Sequence, residues 1–133
     1  MATFTLRERP GTGVERYFPN RSPKPQKVGD RLLIIDRQLE DKKGNLVGTL
    51  VSSCTIVQRF AAPDDIVVAV TATNKLNKGM INTQGVIRFA DFTLPNGVTF
   101  AIVGGTRKNK KARGTVTGKF VPPDNTLFTF RVF

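Results

Sequence analysis

The chain has 133 residues, 39% hydrophobic and 23% charged, enough for one full apolar core and too few for two domains. It contains no histidine and a single cysteine, Cys54, which excludes His general bases, Ser/His and Cys/His dyads, internal disulfides and Cys/His zinc sites. The net charge of +11 is uneven, because residues 66–133 hold ten basic residues against Asp91 and Asp124 alone. Such a balance suits a polyanionic partner without identifying one. No metal or cofactor is expected, an oxygen-ligand site for a hard cation being the one metal chemistry left open.

Thr3 to Arg9 alternates, with Phe4 and Leu6 on one side and Thr5 and Arg7 on the other, and predicts a first strand. Residues 10–30, punctuated by Pro10, Gly11, Gly13, Pro19, Pro23 and Pro25, read as a Pro/Gly-rich loop. Leu32 to Leu39 is the second predicted strand, and Asp41-Lys42-Lys43-Gly44-Asn45 turns the chain. A long third strand spans Leu46 to Phe60, and after Pro63-Asp64-Asp65 a fourth runs from Ile66 to Thr73. The Asn77-Lys78-Gly79 turn leads into Met80 to Phe89, and Pro95-Asn96-Gly97 into Val98 to Val103, where Gly104-Gly105 ends the strand. Ala112 to Phe120 follows, and after Pro122-Pro123-Asp124-Asn125 comes the last strand, Thr126 to Phe133. Eight strands and no sustained helical period predict an all-β fold, a single antiparallel barrel or sandwich over residues 1–133. No apolar run is long enough for a secretory signal or a membrane span, and the lone thiol fits a cytoplasmic setting.

The segment Phe100-Ala101-Ile102-Val103-Gly104-Gly105-Thr106, followed by Ala112-Arg113-Gly114, resembles the "GGTG…ARG" segment of the allene oxide cyclase/dirigent barrel superfamily. Val28-Gly29-Asp30, Cys54-Thr55-Ile56-Val57-Gln58 and Thr83-Gln84-Gly85 resemble that family's "GD", "CxxxQ" and "xQG" segments, in matching order. The resemblance covers roughly residues 28–120. It implies a closed antiparallel barrel of about eight strands with a substrate cavity, assembled as a dimer or trimer. The chain departs from the plant cyclases of that family. Thr5 and Arg7 stand at the positions of a Glu and an Asn on their first strand, Thr99 replaces a tyrosine, and Arg107, Asn109 and Lys111 change the Gly-Gly turn. The implied activity is therefore that of a bacterial-type relative: a cofactor-independent cyclase or isomerase folding a flexible, apolar, oxygenated substrate of polyketide or lipid-like character.

With Cys54 facing the lumen, as the resemblance implies, alternation turns Leu50, Ser52, Ile56 and Gln58 inward as well. Asn82 and Gln84 share one face with Met80 and Val86, and with Thr5 and Thr99 they complete the expected substrate-binding set. Asp36 interrupts an apolar run and is the candidate base, with Arg7 as its partner; the plainer reading makes Asp36 a solvated strand end beside Arg37. Cys54 has no visible activating base and reads as a small apolar filler of the wall. Val47, Val51 and Val57 fall on the opposite face, where they suit a subunit interface or cover by the 10–30 loop. Arg107, Lys108, Lys110, Lys111 and Arg113 form a basic turn suited to an anionic group or an acidic carrier. It lacks the interleaved aromatics of nucleic-acid readers, which argues against nucleic acid. Two other functions stay open at this point: a dirigent-like or carrier barrel that binds without catalysis, and a basic module recognising an anionic surface.

Overall fold

A computed structural model describes residues 2–19, 27–62, 65–122 and 125–133. Residues 20–26 of the predicted loop, Pro63-Asp64 and Pro123-Asp124 lie outside the described residues. Nine strands form: β1 (Ala2–Glu8), β2 (Val14–Phe18), β3 (Arg31–Glu40), β4 (Leu46–Arg59), β5 (Ile66–Leu76), β6 (Gly79–Arg88), β7 (Val98–Gly105), β8 (Gly114–Val121) and β9 (Asn125–Val132). Eight of them are the predicted strands. The ninth, β2, arises inside the stretch read as loop, where five residues between Gly13 and Pro19 are too few to show a period. Short 3-10 helices follow β6 (Phe89–Thr93) and β7 (Arg107–Asn109), and no helix among the described residues is long and apolar enough to cross a membrane.

Neighbouring strands run antiparallel in the order β1-β9-β8-β7-β6-β5-β4-β3, and β1 pairs with β3 to close the ring. The closing rungs are Arg7 opposite Glu40 and Glu8 opposite Leu39. β2 lies outside this eight-strand circuit. It pairs with the other half of the same β3 edge, from Val14 opposite Ile35 to Phe18 opposite Arg31. Closure leaves the barrel itself without a free edge.

Several strand limits differ from expectation, and β5 runs three residues past Thr73, to Leu76. β7 continues through Gly104 and Gly105, with a register shift against β6 between Asn82 and Thr83. Ala112 belongs to the turn rather than to β8, whose first residue, Gly114, has φ +136. A Cβ at Gly114 would collide with the carbonyl of Arg131, so only glycine lets β8 approach β9 there.

Buried side chains pack at both ends of the barrel, Ile56, Val68 and Ile87 lying toward the end where β5 begins and β6 finishes. At the end where β1 begins and β9 finishes, Leu6, Leu39, Ile81, Ile102 and Phe130 fill the interior, with Leu39 0%, Ile81 1% and Phe130 1% exposed. Phe4 stacks on Phe130 at 4.8 Å between ring centroids. Interior packing of that density leaves no room for a solvent path. The base of the barrel is therefore a plug, and any ligand cavity has to lie above it.

Candidate functional site

Above the plug, the inward faces of the strands leave a cavity of about 190 Å³. Its wall is apolar: Leu32 and Ile34 come from β3, Val70 from β5, Ile87 from β6 and Val116 from β8. Four rings, Phe89, Phe92, Phe100 and Phe128, add aromatic surface. Phe89 and Phe92 belong to the 3-10 helix after β6 and meet edge to face at 6.1 Å, so this short helix folds across one side of the mouth. Polar groups are few: Ser52, Cys54, Asn74, Thr83, Thr126 and one carboxyl, Glu8. The Asn74 amide donates to the Ile81 carbonyl at 3.2 Å, and the Ser52 hydroxyl lies 3.6 Å from the Cys54 sulfur. Burial pushes the Cys54 thiol up, so it stays protonated and unreactive.

Glu8 is the ionisable group of this wall. Its side chain is 14% exposed and sits 3.4 Å from Arg37 Nη1, on a side chain that is 15% exposed. Arg37 Nη2 also donates to Glu15 at 2.9 Å, and the Tyr17 hydroxyl donates to Glu15 at 2.8 Å. A polar chain thus runs from the lumen to β2 on the rim. Burial pushes the Glu8 carboxyl above its ordinary value, against the weaker opposing pull of Arg37. The protonated form is the one the fold favours, so ionising Glu8 as pH rises through its raised pKa costs stability. Arg37 Nε is buried without a hydrogen-bond partner among the described residues.

The geometry of β3 explains why Arg37 stands beside Glu8. Leu32 and Ile34 face inward, and strict alternation would turn Asp36 in after them. Instead the register against β4 slips between Ile34 and Arg37, and Asp36 takes φ +55. Aspartate tolerates that left-handed conformation better than most residues. The extra residue puts Arg37 opposite the buried Leu50, facing inward, and leaves Asp36 exposed. The expected catalytic carboxylate is therefore on the outside, and its neighbour is inside.

Arg7 is likewise on the outer side, where it and Arg9 both bond to Glu40. These guanidinium groups hold Glu40 below the ordinary carboxylate range, so their contribution is present above pH 4.5 and is lost as pH falls through the lowered pKa. Thr5 also points outward and meets Thr129 at 3.2 Å across β9. The inward residues of β1 are Leu6 and Glu8, because alternation places Thr5 and Arg7 on the opposite face.

Of the expected substrate-binding set, Cys54 lines the lumen together with Leu50 and Ser52. Gln58 does not: a bulge between Ile56 and Gln58 reverses the alternation and exposes it. Asn82 and Gln84 lie on the outer face, in a shallow groove of about 300 Å³ with Val51, Ser53, Thr71, Thr73 and Val103. Thr99 is exposed between the buried Val98 and Phe100. On β6 both faces carry apolar residues, Met80 and Val86 outside and Ile81 and Ile87 inside, so hydrophobicity alone did not orient the strand.

Arg107, Lys108, Lys110, Lys111 and Arg113 are all exposed, and none forms an ion pair with a described carboxylate. Their turn packs beside the start of β6, where Asn109 donates to the Gly79 carbonyl at 3.0 Å. β6 ends at Arg88, next to the mouth residue Phe89, so the basic turn and the lumen mouth occupy opposite ends of the barrel. A further groove of about 350 Å³, lined by Phe4, Leu76 and Lys78 among others, lies at the basic end beneath the plug.

No protein-family model matches the chain, and no curated protein matches it in sequence. Solved structures do match it in shape. A pyocyanin demethylase superposes with a TM-score of 0.75 at 20% identity, over 99% of this chain and 100% of its own. The Diels–Alderase AbmU from Streptomyces koyangensis superposes with a TM-score of 0.69 at 18% identity, this chain covering 64% of its length. AbnU, an exo-specific intermolecular Diels–Alderase, gives a TM-score of 0.70 at 15% identity over 98% of this chain and 95% of its own. The barrel is shared with these small-molecule enzymes. At such identities the likeness is one of fold.

The bulge can be tested by substitution. Asp36→Gly supplies the left-handed conformation freely and should leave the urea midpoint nearly unchanged. Asp36→Val, β-branched at φ +55, should cost about 1–3 kcal/mol in the same assay. Equal stability of the two variants would remove the conformational role assigned to Asp36.

Proposed function

We propose that the chain is a small-molecule cyclase or isomerase of the allene oxide cyclase/dirigent barrel type that works without a cofactor and binds an apolar, oxygenated substrate in its upper lumen. One observation carries this reading: one carboxyl, Glu8, lines an apolar blind cavity and is steadied by an arginine. Apolar walls with few convergent polar groups are the usual build of a ligand site, and the shifted carboxyl is the usual mark of an acid or base. Holding a substrate in one reactive conformer supplies rate by orientation, and Glu8 adds proton transfer to or from a carbonyl-bearing substrate. Arg37 is a positioning residue, fixing the Glu8 carboxylate and offsetting its charge when it ionises. The enzymes that share the fold, among them Diels–Alderases and a nonspecific heme-binding cyclase that catalyses a [4 + 2] cycloaddition, support a cyclase class of chemistry. A carrier barrel would use the same cavity without Glu8 chemistry.

Proton abstraction is measurable before the natural substrate is known. Nitrobenzisoxazole opens when a base removes its ring C–H proton: the electrons form a nitrile, the N–O bond breaks and a coloured phenolate appears. The barrel should accelerate this reaction, with a rate that rises through a pKa above 4.5. Glu8→Gln should lower the rate by about 10²-fold or more. A Glu8→Gln protein as fast as the parent would remove the proton-transfer role of Glu8 and leave catalysis by orientation alone or the carrier reading.

We also infer that the barrel self-associates through the outer face of β4–β7. Across the groove that holds Asn82 and Gln84, the outward residues are Val, Thr, Ser, Asn and Gln without a charge, and Val86 is 67% exposed beside it. Two copies at +11 each repel everywhere else, so an uncharged face is the place where a second copy meets least opposition. Sedimentation equilibrium should show a dimer or trimer that Val86→Lys dissociates; a monomeric parent protein would contradict this.

A further inference from the structure

We propose that the lumen selects a flat, conjugated compound of one or two rings, with one hydrogen-bonding group on the edge facing Glu8, and rejects extended chains of similar size. This deepens the lumen reading above and rests on it, taking the isomerase side of that reading, because a rigid ring has no chain to fold. Volume is the first constraint. An apolar cavity of about 150 Å³ holds one benzene, and this one measures about 190 Å³. One ring or a small fused pair fills such a space. Depth is the second constraint, because Leu39, Ile81 and Phe130 close the lumen below and a chain has no exit to thread through.

The wall is the third constraint. Gly118 and Gly85 are placed where larger residues would displace rings. A Cβ at Gly118 would stand 3.1 Å from both Phe92 and Phe128, and a Cβ at Gly85 would stand 3.1 Å from Phe100. Missing side chains at these positions let three phenylalanines lie back against β6 and β8, leaving ring faces and edges as the cavity surface. Such surfaces take a ligand ring in offset or edge-to-face geometry, which adds to simple burial. The polar end is equally specific. Among the described residues Glu8 is the one carboxyl on the cavity wall, and Arg37 stands behind it at 3.4 Å. A single carboxyl among apolar walls favours one hydrogen-bonding atom, a ring hydroxyl or carbonyl, on the adjoining ligand edge.

Calorimetric titration of the full chain with 1-naphthol, 2-cyclohexenone and decan-1-ol tests this. Naphthol, and more weakly the cyclic enone, should bind one per barrel, with decanol at least tenfold weaker than naphthol. Gly118→Leu should abolish naphthol binding, and Gly118→Ala, the milder change, should weaken it several-fold with the circular dichroism spectrum unchanged. If decanol binds as tightly as naphthol and both lose affinity in the Gly118 variants, the lumen stands as a ligand site and the ring class is overturned. If no compound binds, or binding ignores both Gly118 variants, the ring proposal and the lumen reading fall together.

Discussion

Closure of this barrel depends on one strand changing partners. The same edge of β3 pairs with β2 over residues 31–35 and with β1 at residues 39–40, and the left-handed residue Asp36 lies between the two pairings. A regular strand could not serve both neighbours and keep its inner face apolar, since one extra residue reverses every side chain after it. The reversal brings Arg37 inward, and β1, docking just beyond, carries Glu8 to meet it. The polar element of the lumen is thus a consequence of how the ring closes.

The two halves of the interior divide the work. The lower half, packed with Leu6, Leu39, Ile81, Ile102 and Phe130, supplies much of the packing that lets a chain with a net charge of +11 stay folded. The upper half is left open by small inward residues, Ser52, Ala72, Gly85 and Gly118 among them, and by a 3-10 helix that reaches over one side only. A buried carboxyl is costly in so apolar a place unless it is neutral or paired. Glu8 has both routes, through its raised pKa and through Arg37. The basic turn stands at the other end of the molecule, so its charge acts on whatever meets that end and not on the ligand.

Much of the fold was legible in the sequence because turns and alternation are local. All eight barrel strands were marked by Gly, Pro, Asn or Asp at their ends. The inward run Leu50, Ser52, Cys54 and Ile56 also followed from alternation once Cys54 was oriented. The site was less legible, for reasons that lie in particular residues. Asp36 sits within one bulge and Gln58 follows another; a bulge carries no sign in the hydrophobic pattern, and both residues were assigned to the wrong face. Asn82 and Gln84 were misplaced because β6 is apolar on both sides. Glu8 was overlooked at the end of β1, between Arg7 and Arg9, where three adjacent charges look like a solvated terminus. The available signal was simple alternation: Leu6 faces inward, and Glu8 is two residues on.

The account turns on whether Glu8 is a buried, functional carboxyl, and its own titration decides that most directly. A carbon-detected NMR titration of the labelled side chain in the intact protein should give a midpoint above the ordinary 4.5. It should also respond to 1-naphthol, which removes further solvent from the carboxyl. A midpoint at or below 4.5, unmoved by naphthol, would mean that Glu8 is an ordinary surface carboxylate and that the lumen has no acid or base of its own.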